Sequence, residues 1–400
     1  MARAIDRRRF LYLLGCGMVG TIAAPAGRLP TLHAESAPSN LNAMLEPIRR
    51  GHNMPALAAA FVRGSDLVAQ GAVGTRRASG HAEVELDDRF HLGSCTKAMT
   101  ATVMARLVER GEIEWSTRLA DALPELAEAM DPGFHGVTVE QLLAHRSGLP
   151  GVETPSTYNP RQRQLLQDFH AASMRSRPIT EQRRIFARRV LSDEPVAEPG
   201  TLFNYSNFGY VVAGAVIEAV TRESWEDVTR RELFEPLGMA SAGFGPPGEG
   251  NDVTEPWGHL ASGCEPVAPG PKAGTPKADN PPVYGPTGRV HSPMADWAQY
   301  ASLHLRGARG EAVRLLDTDT FRELHQDRSN QGYALGWSVR QRSWADGRAL
   351  THAGSNTLWY AVVWLAPERN AALLAAANCG SDRGFQAVDA AVGAMIRRFL

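Results

Sequence analysis

Phe90-His91-Leu92-Gly93-Ser94-Cys95-Thr96-Lys97-Ala98-Met99 is the stretch on which the reading of this chain turns. Phe90 to Gly93 has the character of a strand end. From Ser94 onward the apolar residues Met99, Val103 and Leu107 recur every four positions, and Gly111 closes the pattern. That period predicts a helix opened by the serine. Positions i and i+3 share a helix face, so the Lys97 amine can reach the Ser94 hydroxyl. The helix N-terminus favours negative charge beside Ser94. A serine hydroxyl is a weak nucleophile until a base takes its proton. A lysine can be that base once burial or a positive neighbour brings its pKa well below ~10.4.

The chain's use of basic residues sharpens this point. Of 42 basic residues only Lys97, Lys272 and Lys277 are lysine, and the last two lie in a Pro/Gly-rich stretch. Arginine cannot give up its proton in a protein and lysine can. A lysine kept in a regular element of so arginine-biased a chain points to a need for deprotonation.

Two further motifs follow. Tyr205-Ser206-Asn207 comes after Glu198-Pro199-Gly200 and before a helical pattern, so it sits on an ordered loop. A tyrosine beside a lysine can pass protons between a serine and a leaving group. An asparagine amide offers a donor and an acceptor to a substrate amide. His352-Ala353-Gly354-Ser355 ends a predicted strand near the C-terminus. Gly354 permits close backbone approach, and the Ser355 amide is positioned to pair with that of Ser94 as an oxyanion hole.

Outward from these motifs, the two ends of the chain read as strands: Leu57 to Arg63 and Asp66 to Val73, then Tyr333 to Arg340, Ala349 to His352, Trp359 to Leu365 and Ala371 to Ala377. Leu41 to Arg50 and Gly384 to Leu400 read as helices. So do Val139 to His145, Thr180 to Leu191, Asn207 to Val220 and Trp225 to Leu237 in the middle. Residues 245–290 read as a long ordered loop, and Ser292-Pro293 as an N-cap and first helical residue. The expectation is an α+β fold. An antiparallel sheet is built from residues of about 35–93 and 311–400, with a mainly helical insertion over about 94–310.

Ser-x-x-Lys, then Tyr-x-Asn, then Lys/His-x-Gly near the C-terminus is a motif order that resembles class C β-lactamases, related D-Ala-D-Ala carboxypeptidases and esterases of that family. Leu142 to Pro150 (LLAHRSGLP), Pro236-Leu237-Gly238-Met239 and the strand pair around Trp359 to Pro367 are similar to the family as well. The resemblance covers roughly residues 40–385. It implies a β-lactamase-like fold with Ser94 as nucleophile and Lys97 and Tyr205 as general base and acid. It also implies Asn207, His352 and Gly354 at the substrate and Ser355 as an oxyanion donor. The reaction so implied forms an acyl-enzyme from an ester, a peptide or a β-lactam, with no cofactor and no metal. Class C β-lactamases have Lys-Thr-Gly where this chain has His352-Ala353-Gly354. A histidine, with an ordinary pKa near ~6.5, is mostly neutral at pH 7, so recognition of a substrate carboxylate is not expected to carry over. The competing reading is a non-catalytic sensor or scaffold that binds penicillin or cell-wall peptide.

Other classes lack their signatures. The chain has no Gly-x-Ser-x-Gly elbow and no His-Glu-x-x-His, and His81 and His91 lack ligand spacing. A formal net charge of −1 and the absence of a basic patch exclude a nucleic-acid partner as the expectation. The first 34 residues read as a twin-arginine-type export signal, on Arg7-Arg8-Arg9-Phe10-Leu11 and the mildly apolar run to Ala24. Cleavage is expected after Ala26 or Ala34. The expected location is the periplasm or the exterior, with membrane contact only through an uncleaved signal or lipidation at Cys16. Cys95, Cys264 and Cys379 remain after such cleavage, an odd number that implies no disulfide framework.

Overall fold

The computed structural model describes residues 38–151, 160–169, 171–250, 252–270 and 278–400. The export-type segment with Cys16, and Lys272 and Lys277, lie outside the described residues. Seven strands form the main sheet: β1 (Ser39–Asn40), β2 (Ala56–Arg63), β3 (Asp66–Gly74), β4 (Ser338–Arg342), β5 (Gly347–Gly354), β6 (Tyr360–Ala366) and β7 (Ala371–Ala377). Their order is β1-β3-β2-β7-β6-β5-β4. The join between the two chain ends is the β2–β7 ladder, which runs from Ala371 opposite Arg63 to Ala377 opposite Leu57. All neighbours are antiparallel except β1, which pairs parallel to β3.

Strands β2 and β7 are apolar at nearly every position because both faces of the sheet are covered. Alternate residues divide between two layers. Ala58, Ala60 and Leu374 face a large core shared with the helices Thr96–Glu109 and Met294–Ala308. Leu57, Phe61 and Leu373 face a smaller one roofed by the helices Asn42–Gly51 and Asp382–Phe399. The Thr96–Glu109 helix has buried residues on every face, since it lies between the sheet and the helical region.

That helical region is pinned from inside. Arg183, on the helix Ile179–Leu191, is fully buried and bonds to Glu218 and Glu226. Charge pairing of this kind offsets the cost of burying each group alone. It ties down the helix Asn207–Thr221, whose N-cap Ser206 accepts a hydrogen bond from Gly209 N.

The sequence expectations are corrected at four places. The strand expected over Tyr333 to Arg340 is confined to Ser338–Arg342. Tyr333 to Trp337 form a turn, with Gly336 at φ +80° and an Ala334 N–H bonded to Trp337 O. The helix after Ser292 begins at Met294 with Pro293 as its N-cap residue, and the Ser292 hydroxyl donates to Pro293 O instead of capping. The loop over 245–290 contains a two-stranded ribbon, Gly258–His259 with Pro266–Val267, and the helical turn Gly285–Gly288. Cys264 and Cys379 are joined in a disulfide, which leaves only Cys95 free among the described residues. A gap of 115 residues between the partners hides that pairing from any local reading.

Candidate active site

The nucleophile motif sits where the sheet meets the helices. The short strand Phe90–His91 leads into a 3-10 turn, Gly93–Cys95, and the α-helix starts at Thr96. Gly93 has φ +51°, a conformation that favours glycine. The turn lies against the end of β5. A Cβ built on Gly93 would stand 2.4 Å from the Ser355 amide nitrogen, and one on Gly354 would stand 2.5 Å from that of Ser94. The two glycines are therefore what allow the Ser94 and Ser355 amides to flank one spot.

Ser94 is partly exposed and Lys97 beneath it is fully buried. The Lys97 Nζ donates to Ser94 Oγ at 2.9 Å and to Thr287 O at 2.7 Å. It lies 4.9 Å from the Tyr205 ring centroid and 5.7 Å from that of Tyr210. With no carboxylate bonded to it among the described residues, burial pushes this amine well below its ordinary pKa. Burial acts on the Tyr205 phenol in the opposite direction and pushes it up, against a smaller opposing effect of Ser94. The Tyr205 hydroxyl is buried without a hydrogen-bond partner among the described residues. The pair is thus split into an amine driven toward neutrality and a phenol that keeps its proton.

Asn207 accepts a hydrogen bond from Thr287 Oγ1 at its Oδ1 (2.9 Å), which leaves its NH2 to donate. Thr287 therefore touches both Lys97 and Asn207. It comes from the Pro/Gly-rich segment, where no motif marks it.

His352 is buried beside these groups and both its ring nitrogens are engaged. Nδ1 lies 2.7 Å from Ala353 O, so it carries the proton, and Nε2 accepts from the Tyr333 hydroxyl at 3.2 Å. Tyr333 in turn accepts from His145 Nε2 (3.2 Å), while His145 Nδ1 accepts from Ser206 N (3.0 Å). The chain of bonds fixes one tautomer on each imidazole. Burial, with a smaller contribution from Lys97 whenever that amine is protonated, brings His352 down to about 3. His145 is held well below its usual range by burial, Lys97 and His352. The third motif thus presents a neutral ring and no fixed cation.

His145 and Tyr333 were not assigned roles from the sequence. His145 lies within the LLAHRSGLP stretch, takes φ +58° and stacks on Tyr205 with ring centroids 4.3 Å apart. Its position inside a quoted motif was the available signal. Tyr333 gave none, because its surroundings read as strand. Cys95 packs under the turn with its thiol toward His352 O (3.3 Å), and burial pushes that thiol up, away from reactivity. Among the described residues no group of three or more His, Cys, Asp or Glu could hold a metal ion.

Comparison with known proteins bears on the family and the fold. The profile of the family described as Beta-lactamase matches residues 41–394. Penicillin-binding protein 4 of Amycolatopsis lactamdurans is 31% identical over 308 residues, 76% of this chain and 73% of that protein. An unguisins hydrolase of Aspergillus campestris is 28% identical over 268 residues, 64% of this chain and 45% of that protein. The octameric penicillin-binding protein homologue from Pyrococcus abyssi superposes with a TM-score of 0.66 at 21% identity, over 90% of this chain and 78% of that one. A family profile matched along nearly the whole described chain, on a fold shared with a penicillin-binding protein homologue, makes this chain a member of the Beta-lactamase family.

Proposed function

We propose that this chain is a serine hydrolase that acylates itself at Ser94 and then passes the acyl group to water. The observation that carries the reading is the 2.9 Å hydrogen bond between Lys97 Nζ and Ser94 Oγ, in a pocket that drives the amine toward neutrality. Neutral Lys97 takes the Ser94 proton as Oγ bonds to the carbonyl carbon. The Ser94 and Ser355 amides receive the negative charge that develops on the carbonyl oxygen. As the tetrahedral species collapses, Tyr205 gives its proton to the leaving group and recovers one from Lys97. Water then attacks the acyl carbonyl by the same steps in reverse. Asn207 donates to a substrate carbonyl.

The substrates are carboxylic esters, peptides or β-lactam amides, and the arrangement at His352 favours those with no free carboxylate against the third motif. The name of the Amycolatopsis lactamdurans relative supplies the first compound to assay, a penicillin. The disulfide supports export, since such bonds persist mainly in oxidising compartments.

Mass spectrometry after incubation with a reactive ester or a penicillin tests the assignment. An adduct on the wild type that is lost in Ser94→Ala is expected, and an adduct that survives the substitution overturns it. Steady turnover of p-nitrophenyl acetate separates the hydrolase from a sensor that is acylated once and stays so.

A further inference from the structure

One buried carboxylate reaches both sides of the spot flanked by the Ser94 and Ser355 amides. Asp279 lies in the segment leading to Thr287, and its side chain is 3% exposed. Its Oδ2 is 3.1 Å from His91 Nε2 and accepts from Arg289 Nε at 2.9 Å. Its Oδ1 accepts from Asn356 Nδ2 at 3.0 Å and from the Asn280 amide at 2.8 Å. His91 is fully buried, and its Nδ1 accepts from the Gly93 amide at 3.1 Å, so the proton sits on Nε2 and points at Asp279. Asn356 also accepts from Leu358 N, at 3.1 Å. Burial would raise the Asp279 carboxyl, but His91 and Arg289 hold it well below the usual carboxylate range, so it is an anion throughout.

The two partners of Asp279 stand next to the two amides. His91 holds the peptide of Gly93, the residue before Ser94, and Asn356 is the residue after Ser355. We propose that Asp279, through His91 on one side and Asn356 on the other, is a positioning residue that sets the separation and aim of the Ser94 and Ser355 amides. The proposal rests on the oxyanion role given to those amides above. Unlike the serine, lysine and tyrosine, Asp279 touches no reacting atom. It acts through the backbone of two segments that pack closely against each other at Gly93 and Gly354. An oxyanion hole works through donors already aimed at the developing charge, and displacement of reacting groups by about 1 Å costs on the order of 10²-fold.

Phenylboronic acid is a suitable probe. It adds to a serine oxygen to give a tetrahedral, negatively charged boron with an oxygen where the oxyanion would lie. In Asp279→Asn, and in His91→Leu, the maximal rate of single-turnover acylation by p-nitrophenyl acetate should fall about 10²-fold. Boronate affinity should fall in the same proportion, and the half-saturating ester concentration should move less than about threefold. Asp279→Asn with His91→Leu together should be little worse than either alone. His91→Gln, which keeps a donor and an acceptor, should recover most of the rate. If Asp279→Asn does not fold, the comparison of folded His91→Gln with folded His91→Leu carries the test. Boronate affinity left unchanged in these variants, or no recovery with glutamine, overturns the proposal. Persistent labelling of Ser94→Ala would instead overturn the nucleophile assignment, so the two failures are distinguishable.

Discussion

At the scale of single residues, Lys97 carries the sharpest consequence. Lysine to arginine is mild on a surface, and this chain uses arginine nearly everywhere else. Here the side chain is fully buried and donates to Ser94 Oγ and Thr287 O. A guanidinium stays protonated and is wider than an ammonium. Lys97→Arg should therefore lose at least ~10²-fold in single-turnover acylation, the lower end of what a placed base contributes. Near-normal acylation in the folded variant would leave Lys97 as a source of charge only. His352 gives a second test. Burial, the larger cause, brings its folded-state pKa down to about 3, so it stays neutral from about pH 5 to 8. Carboxylate-bearing and neutral substrates should then show parallel KM profiles from about pH 5 to 8, apart from titration of the substrates themselves. A KM that improves for carboxylates alone as pH falls from 7 to 5 would show a charged His352. The grouping of Ser94, Lys97, Tyr205 and Asn207 was legible in the sequence because short motifs carry them. The state of His352 was not, since its partner Tyr333 comes from a turn and its neighbour His145 from a helix end about 200 residues earlier in the chain.

At the scale of elements, the strands were readable where the pattern was strongest. Ala371–Ala377 matches the expectation residue for residue, because a strand buried on both faces is apolar throughout. Expectation and structure diverge where tertiary contacts decide. Trp337 is fully buried in the large core, so the apolar run ahead of β4 serves as a packed turn and not as ladder. The Cys264–Cys379 bond is likewise invisible locally, and it ties the Gly258–Val267 ribbon to the end of β7. A crosslink closing so long a segment restricts the unfolded chain strongly, and loss of a native disulfide commonly costs about 2–5 kcal/mol. Unfolding free energies from denaturant titrations with and without reductant, and in Cys264→Ser with Cys379→Ser, should fall together by an amount in that range. Equal free energies would show that the bond contributes nothing to stability.

For the whole molecule, the distribution of buried histidines sets the response to acid. Burial brings His304 and His352 down to about 3 and His259 and His291 to about 4, and His145 and His325 lie well below their ordinary value. In the unfolded chain all six take protons near ~6.5. Below that pH the unfolded state binds more protons than the folded one, so stability falls as pH drops from about 6.5 toward 4. The carboxyls of Asp88 and Glu218, which burial pushes up, work in the opposite sense nearer the carboxylate range. Unfolding free energies by urea at pH 7.5, 6 and 5 should decrease in that order, and a flat profile would contradict the burial of neutral imidazoles. The scarcity of lysine has a use of its own. A sample enriched in carbon-13 at lysine Cε alone would give three side-chain resonances from 400 residues. The one that vanishes in Lys97→Arg would report the protonation of the buried amine directly, titrated in the intact protein without substrate, inhibitor or assay.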